Sequence, residues 1–422
     1  MSEEITTDQP KIKNHGWQVT FAGMGINLAL GILYTWSVIS KRIPEEWGWN
    51  EDDKSLPYMI ACLVFSLIMV PAGRMQDKIS PRLVATIGGI LVGLGFIIAA
   101  MTTSLMVFVI GFGVFVGAGL GFGYASATPP AVKWFPAAKT GLIAGIVVSG
   151  FGLASVYAAP LTTWLIVNLS FSTALLLLGI AFLVVVVVLA QILKPPPAGY
   201  IPAGSLPANT DAKSNNKKED FLPKEMLTTW QFYIIWFMYV CGAGAGLMVI
   251  SKLAAIADKQ IGITMGFVLV AVLALGNGGG RIVSGMLSDK IGRKPMMFVC
   301  FLFQAFLIFL LSKATAENAL GTIPAMALIS ALIGANYGAN LSLFPSITKD
   351  FYGLKNFGMN YGLVFTAWGV GGFMLAKLAG TMYARHQTFA IAYYGASALL
   401  ILAAIMTLLV KAPHRKLETN ET

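Results

Sequence analysis

Charged side chains are scarce in this chain. Of 422 residues only 11% are Asp, Glu, Lys or Arg, while 56% are hydrophobic; soluble globular proteins carry roughly 25% charged residues. Mean hydropathy is +0.74. Soluble helices and strands need polar faces, so a deficit of this size excludes a soluble enzyme and a disordered scaffold. Cysteine is nearly missing as well. Cys62, Cys241 and Cys300 stand alone in apolar runs without CxxC spacing, which excludes a disulfide-stapled module and offers no redox or zinc pair. The three histidines, His15, His386 and His414, lie at segment ends without ligand spacing, so no metal is expected. There is no P-loop and no nucleophile–base set, so neither an enzyme nor a cofactor is expected, and energy would come from gradients.

What the chain does have is apolar length, together with 45 glycines that suit close helix packing in a membrane. A hydrocarbon core of about 30 Å takes roughly 20 helical residues. Twelve stretches qualify, at about 18–40, 55–75, 82–101, 105–130, 139–163, 169–193, 227–252, 262–285, 295–313, 320–347, 356–384 and 388–411. The long polar interruption at 194–225, rich in proline, lysine and asparagine, divides six from six and reads as a linker. The expected layout is therefore a tail at 1–17, a six-helix bundle at 18–193, the linker, a second bundle at 226–411 and a tail at 412–422. The acidic, polar start does not read as a cleavable signal peptide.

Net charge is +10, yet the basic residues sit in short loops between apolar runs, which fits topology signals and not a nucleic-acid surface. With both termini inside, twenty Lys and Arg fall on the cytoplasmic side and seven outside, Lys252 among the seven; Arg281 and Lys377 lie within spans. The bias favours cytoplasmic termini in a multi-pass protein of the plasma or inner membrane.

The two halves echo each other. Gly73-Arg74-Met75-Gln76-Asp77-Lys78-Ile79 follows the second span, and Gly285-Met286-Leu287-Ser288-Asp289-Lys290-Ile291-Gly292-Arg293-Lys294 follows the eighth, with the two acids 212 residues apart. Lys133, Phe135 and Lys139 recur as Lys349, Phe351 and Lys355 at a spacing of 216. Repeats of six spans, an even number, run parallel, which predicts two bundles facing each other with a substrate site between them.

The pattern at 285–294 resembles the signature loop of the major facilitator superfamily, and 73–82 its more degenerate first copy. The resemblance implies an all-α fold of two six-helix bundles, in which Asp77, Asp289 and Arg293 latch the bundles on the cytoplasmic side. A plain tight turn between helices is the competing reading. Asn14-His15-Gly16-Trp17 and Trp134-Phe135-Pro136, with 139–145 after it, resemble the signatures of the monocarboxylate transporters. Asn277-Gly278-Gly279-Gly280-Arg281, Tyr34-Thr35-Trp36, Tyr124, 343–346 and 360–362 resemble the oxalate–formate antiporter branch. These resemblances imply a carboxylate substrate.

The residues point the same way on physical grounds. Arg281 lies eight residues before Asp289, about 12 Å into the span. A guanidinium there costs on the order of 2.5–3.5 kcal/mol, and a carboxylate held bidentately would offset it. The alternative is a structural arginine satisfied by backbone carbonyls and Asn277, one turn earlier. Tyr124, Phe365 and Tyr337 count to about the same depth, ~15–18 Å from the cytoplasmic ends. Each aromatic alone could be plain packing; with Asn277 and Arg281 they make a candidate small-anion site, to which Tyr34, higher in the membrane, is a weaker addition.

Two departures sharpen the expectation. Where the oxalate transporters have a second cation in span eleven, this chain has Trp368, and one central cation matches one carboxylate. Asn277 and the Tyr34–Ser37 stretch lack the acid and the lysine of many monocarboxylate transporters, so their proton coupling does not carry over unchanged. Asp258 remains as candidate proton carrier: an acid in an apolar context at the periplasmic end of span seven, where partial burial would raise its pKa. Its alternative is a solvated helix end paired with Lys259. The expected protein is a secondary transporter that moves a small monocarboxylate such as L-lactate or pyruvate with a proton by alternating access, and needs the bilayer but no obligate protein partner. The alternatives are an organic-anion exchanger, or a transporter-like receptor that binds substrate without moving it.

Overall fold

A computed structural model describes residues 14–136, 139–197, 200, 202, 220–353 and 356–413. Most of the tails expected at 1–17 and 412–422, and most of the linker expected at 194–225, fall outside these residues; of the first tail, Gly16 and Trp17 already belong to the first helix. Among the described residues the regular structure is helical, and twelve helices are long and apolar enough to cross a membrane. In chain order they are α1 (Gly16–Lys41), α2 (Asp53–Gln76), α3 (Pro81–Ala100), α4 (Leu105–Val132), α5 (Leu142–Asn168) and α6 (Phe171–Ala190), then α7 (Trp230–Ile261), α8 (Gly266–Ile291), α9 (Arg293–Lys313), α10 (Ile323–Tyr352), α11 (Phe357–His386) and α12 (Ala390–Leu409). The twelve expected spans each find their helix, with α7 and α10 running several residues longer than the apolar count implied.

Local chemistry sets the ends. Proline opens α2, α3 and α10 in the first turn, where its missing N–H costs nothing. Gly262 and Gly353, at φ of 76° and 79°, close α7 and α10 in a backbone region that side chains with a Cβ resist. Two helices are irregular inside the membrane. α1 tightens to 3₁₀ over Gly31–Thr35, and α4 widens to a π-helix over Val109–Val116.

The first six spans pack on one another and so do the last six, with α3 against α6 in one half and α8 against α10 in the other. Between the halves α2 lies along α11 and α5 along α8. Burial separates a centre from a periphery. In α1 and α7, 83% of the most apolar stretch is buried, against 39% in α6 and 44% in α9 and α12. The outward faces of the peripheral spans carry exposed Leu, Ile, Val and Phe, as lipid contact requires.

Twelve crossings bring the start of α1 and the end of α12 to one face, called here the terminal face. At the opposite face ion pairs join the halves: Lys41 of α1 to Asp258 of α7 at 3.1 Å, and Glu51, from the loop before α2, to Lys252 and Lys259 of α7 at 3.4 and 2.9 Å. Thr381 of α11 donates to Asp52 at 3.1 Å across the same seam.

Candidate functional site

Arg281 and Lys252 are the buried basic side chains among the described residues, and no described Asp or Glu is buried. Arg281 lies at the centre, 4% exposed, on the face of α8 that meets α5. Its Nε donates to Asn277 Oδ1 at 3.1 Å, one turn earlier, and its Nη1 donates to the Val148 carbonyl of α5 at 2.7 Å. Gly152, one turn beyond Val148, lets the guanidinium lie flat against α5. A Cβ at Gly152 would stand 3.2 Å from Nε and 3.3 Å from Cζ.

Two donors remain. Arg281 Nη2 and Asn277 Nδ2 are buried without a hydrogen bond of normal geometry, and the Tyr124 hydroxyl lies within bonding reach of the guanidinium. Buried donors almost always find partners, and a guanidinium N–H beside an amide N–H suits the two oxygens of a carboxylate. The structural reading of Arg281 thus holds for two of its three nitrogens, through Asn277 and a carbonyl, and leaves Nη2 for something else.

The expected aromatics do gather here. The hydroxyls of Tyr34 and Tyr337 bond across the halves at 2.5 Å, and Trp368 Nε1 donates to Tyr337 at 2.7 Å. Tyr124 stacks on Phe365 of the other half, centroids 6.0 Å apart. Tyr34, Tyr124 and Tyr337 all lie within electrostatic reach of the Arg281 guanidinium. Tyr34, expected nearer the opposite face and as a weaker addition, thus reaches the same group of side chains through its hydroxyl. Counting residues locates a Cα, whereas the hydroxyl sits at the far end of the ring. Four members were missed. Phe65 and Phe151 complete the aromatic wall, Phe65 against Tyr124, Phe365 and Trp368 and Phe151 edge-on to Tyr34 and Tyr124. Trp368 had been noted only as a missing cation. The Val148 carbonyl leaves no signal in a side-chain pattern.

Other expected residues lie elsewhere. Asp258 is not enclosed. Its side chain is 37% exposed and pairs with Lys41 of the other half, not with Lys259, which holds Glu51 instead. Lys252, counted among loop lysines, sits inside α7 at 3% exposure; the apolar Leu-Ala-Ala-Ile-Ala run after it was the available signal. Lys377 is exposed on α11. At the terminal face Arg293 bonds Asp289 at 2.6 Å and Asp350 at 3.3 Å, and it also donates to Ser288. These partners end α8 and α10, so this cluster ties the second half to itself. Asp77 lies in the last turn of the helix that begins at Leu56, and its side chain is outside the described residues.

Comparison with known proteins bears on the family and the fold. The family model for the Major Facilitator Superfamily matches residues 19–276 and 235–422. The chain is 27% identical to an uncharacterised MFS-type transporter of Escherichia coli, YhjX, covering 84% of this chain and 85% of that one. It is 25% identical to the oxalate:formate antiporter of Oxalobacter formigenes, covering 84% and 81%. It is also 25% identical to monocarboxylate transporter 11 of Homo sapiens, covering 88% and 78%. Among solved structures, a bacterial homologue of the human lysosomal transporter Spinster superposes with a TM-score of 0.65 at 14% identity, covering 94% and 97% of the two chains. That structure shares the fold, the family model spans both halves, and the chain belongs to the Major Facilitator Superfamily.

Proposed function

We propose that this transporter carries a small monocarboxylate of the L-lactate or pyruvate type together with a proton. The carrying observation is the pair of buried donors without hydrogen-bond partners, Arg281 Nη2 and Asn277 Nδ2, on side chains that bond each other one turn apart on α8. A single guanidinium matches a single carboxylate. A dicarboxylate would ask for a second cation, and the α11 position suited to one is Trp368, whose N–H is taken by Tyr337. The aromatic wall of Phe65, Tyr124, Phe151 and Phe365 suits a small organic acid with an apolar remainder. Similarity to a monocarboxylate transporter and to an oxalate:formate antiporter supports an organic acid.

The Lys and Arg distribution supports placing the terminal face in the cytoplasm of a cell's plasma or inner membrane. The seam of ion pairs is then the closed external gate, and alternating access is its opening while the halves close at the terminal face, where Asp77 of the first half and Asp289 and Arg293 of the second are the proposed latch. Asp258 is the proposed proton carrier: opening parts it from Lys41 and leaves the carboxylate facing the outside solution. Proton and anion then cross together without net charge.

Reconstituted liposomes test this directly with labelled L-lactate, pyruvate, formate and oxalate, each with and without an imposed pH step. The expected result is L-lactate or pyruvate accumulation driven by the step, lost in Asp258→Asn. Arg281→Lys should weaken uptake roughly 10- to 100-fold, the worth of a charge-assisted hydrogen bond. Normal uptake by Arg281→Lys would remove the binding assignment. One observation favours a second reading, an organic-anion exchanger: no described Asp or Glu is buried beside Arg281 to bring in a proton. Uptake that needs a preloaded internal anion and ignores the pH step would establish exchange.

A further inference from the structure

Lys252 is the second buried cation, and the function above leaves it without a task. Its side chain is 3% exposed, on a stretch of α7 in which Ile250, Leu253 and Ile256 are buried as well. Its acceptors come from the other half: the Glu51 carbonyl at 3.1 Å and the Glu51 carboxylate at 3.4 Å. Glu51 in turn is surrounded by cations, with Lys259 at 2.9 Å and Lys54 at 3.9 Å. Burial raises its carboxyl pKa, but the three lysines outweigh burial and hold it below the ordinary range.

When the halves part at this face, Glu51 leaves with its own half. Lys252 then keeps an apolar surround and loses its acceptors, and an ammonium in that position demands another anion. It stands six residues along α7 from Gly246, which packs against the Tyr337 ring, so about 9 Å of helix separates it from the Arg281 site. We propose that Lys252 is an outer docking point for the substrate's carboxylate, held by Glu51 while the seam is closed and yielded to the incoming anion as it opens. Glu51 and substrate compete for one ammonium, so external substrate favours the open seam, and the anion passes from Lys252 to Arg281. The proposal rests on the reading that the central site takes a carboxylate.

The test uses full-length protein in liposomes, with Cys62, Cys241 and Cys300 replaced by alanine and a Val38→Cys reporter. Val38 is 3% exposed, in the crevice between α1 and α7 at this face. An impermeant maleimide added from the seam side reads opening. External L-lactate should raise labelling by about threefold or more. Lys252→Gln should abolish that rise and Lys252→Arg should keep it, while Glu51→Gln should raise labelling without lactate. The proposal is overturned if Lys252→Gln responds to lactate like its parent, if Glu51→Gln labels like its parent, or if neither L-lactate, pyruvate nor oxalate raises labelling in the parent. Arg281→Lys separates the two readings: it should lose uptake yet keep the lactate-dependent labelling, and retained uptake would strike the central site alone.

Discussion

Tyr337 ties the site together through one oxygen. That oxygen bonds the Tyr34 hydroxyl of the first half and accepts the Trp368 N–H of its own half, and the side chain is fully buried. In Tyr337→Phe both neighbours would keep buried polar groups without this partner, at about 1–3 kcal/mol. A lower thermal midpoint in detergent, with weaker L-lactate binding by calorimetry, is the expected outcome; an unchanged midpoint would mean water or a rearranged neighbour replaces the hydroxyl. At this scale the sequence was most informative where chemistry was rarest. A guanidinium in an apolar run announces itself, and Arg281 and Asn277 were legible for that reason. Phe65 and Phe151 were not, because a phenylalanine in a 56% hydrophobic chain looks the same whether it lines a site or fills a core. Lys252 was misplaced because a lysine near a span end reads as a loop charge until burial is known.

Between elements, glycine decides how α8 is held. Gly276 and Gly280 of α8 meet Ala331 and Ala335 of α10, while Gly334 and Gly338 of α10 meet Leu273 and Asn277 of α8. Both helices thus present a small residue every fourth position, a spacing that lets backbones approach closely in a membrane. The Asn277-to-Arg281 stretch resembled a family motif by sequence, but its glycines also serve this packing. In Gly338→Ala the new methyl would press on the Asn277 carbonyl and lie 2.9 Å from its Oδ1, the acceptor of Arg281 Nε. Overpacking of this kind costs about 1–3 kcal/mol. Thermal unfolding should show the loss, and substrate affinity should fall with it because Asn277 is displaced. Retained affinity in a destabilised variant would show that the seam supports the fold without setting the site. Span number and order were readable from apolar length. The 3₁₀ and π segments of α1 and α4 were not, since both are backbone responses to packing.

For the whole molecule, the seam at the opposite face has a definite pH behaviour where Glu51 is concerned. A carboxyl whose pKa is depressed in the closed state stabilises that state above its ordinary value of 4.5, and the contribution is lost as pH falls through the depressed value. Labelling of the Val38→Cys reporter without substrate, divided by the labelling of an exposed cysteine at the same pH to remove the thiolate dependence of the reaction, should therefore stay flat from about pH 8 to about pH 5 as far as Glu51 governs it. A steep rise near pH 6 would assign the seal to another group. The internal repeat was visible in the spacing of Asp77 and Asp289, because a loop that must turn between helices keeps its charges. How the halves meet was not, because contacts such as Lys41 with Asp258 join residues far apart in the chain.

The enclosure of α1 bears finally on how the protein is made. Asn27 donates to the Val147 carbonyl and Thr35 bonds Ser155, each pair 120 residues apart. α1 is made before α5 and therefore enters the bilayer with polar groups whose partners do not yet exist, and those bonds can close only after α5 has been translated. Until then α1 must be sheltered by insertion machinery or by water at its polar side, and the first half has to be assembled around a helix made well before its partner.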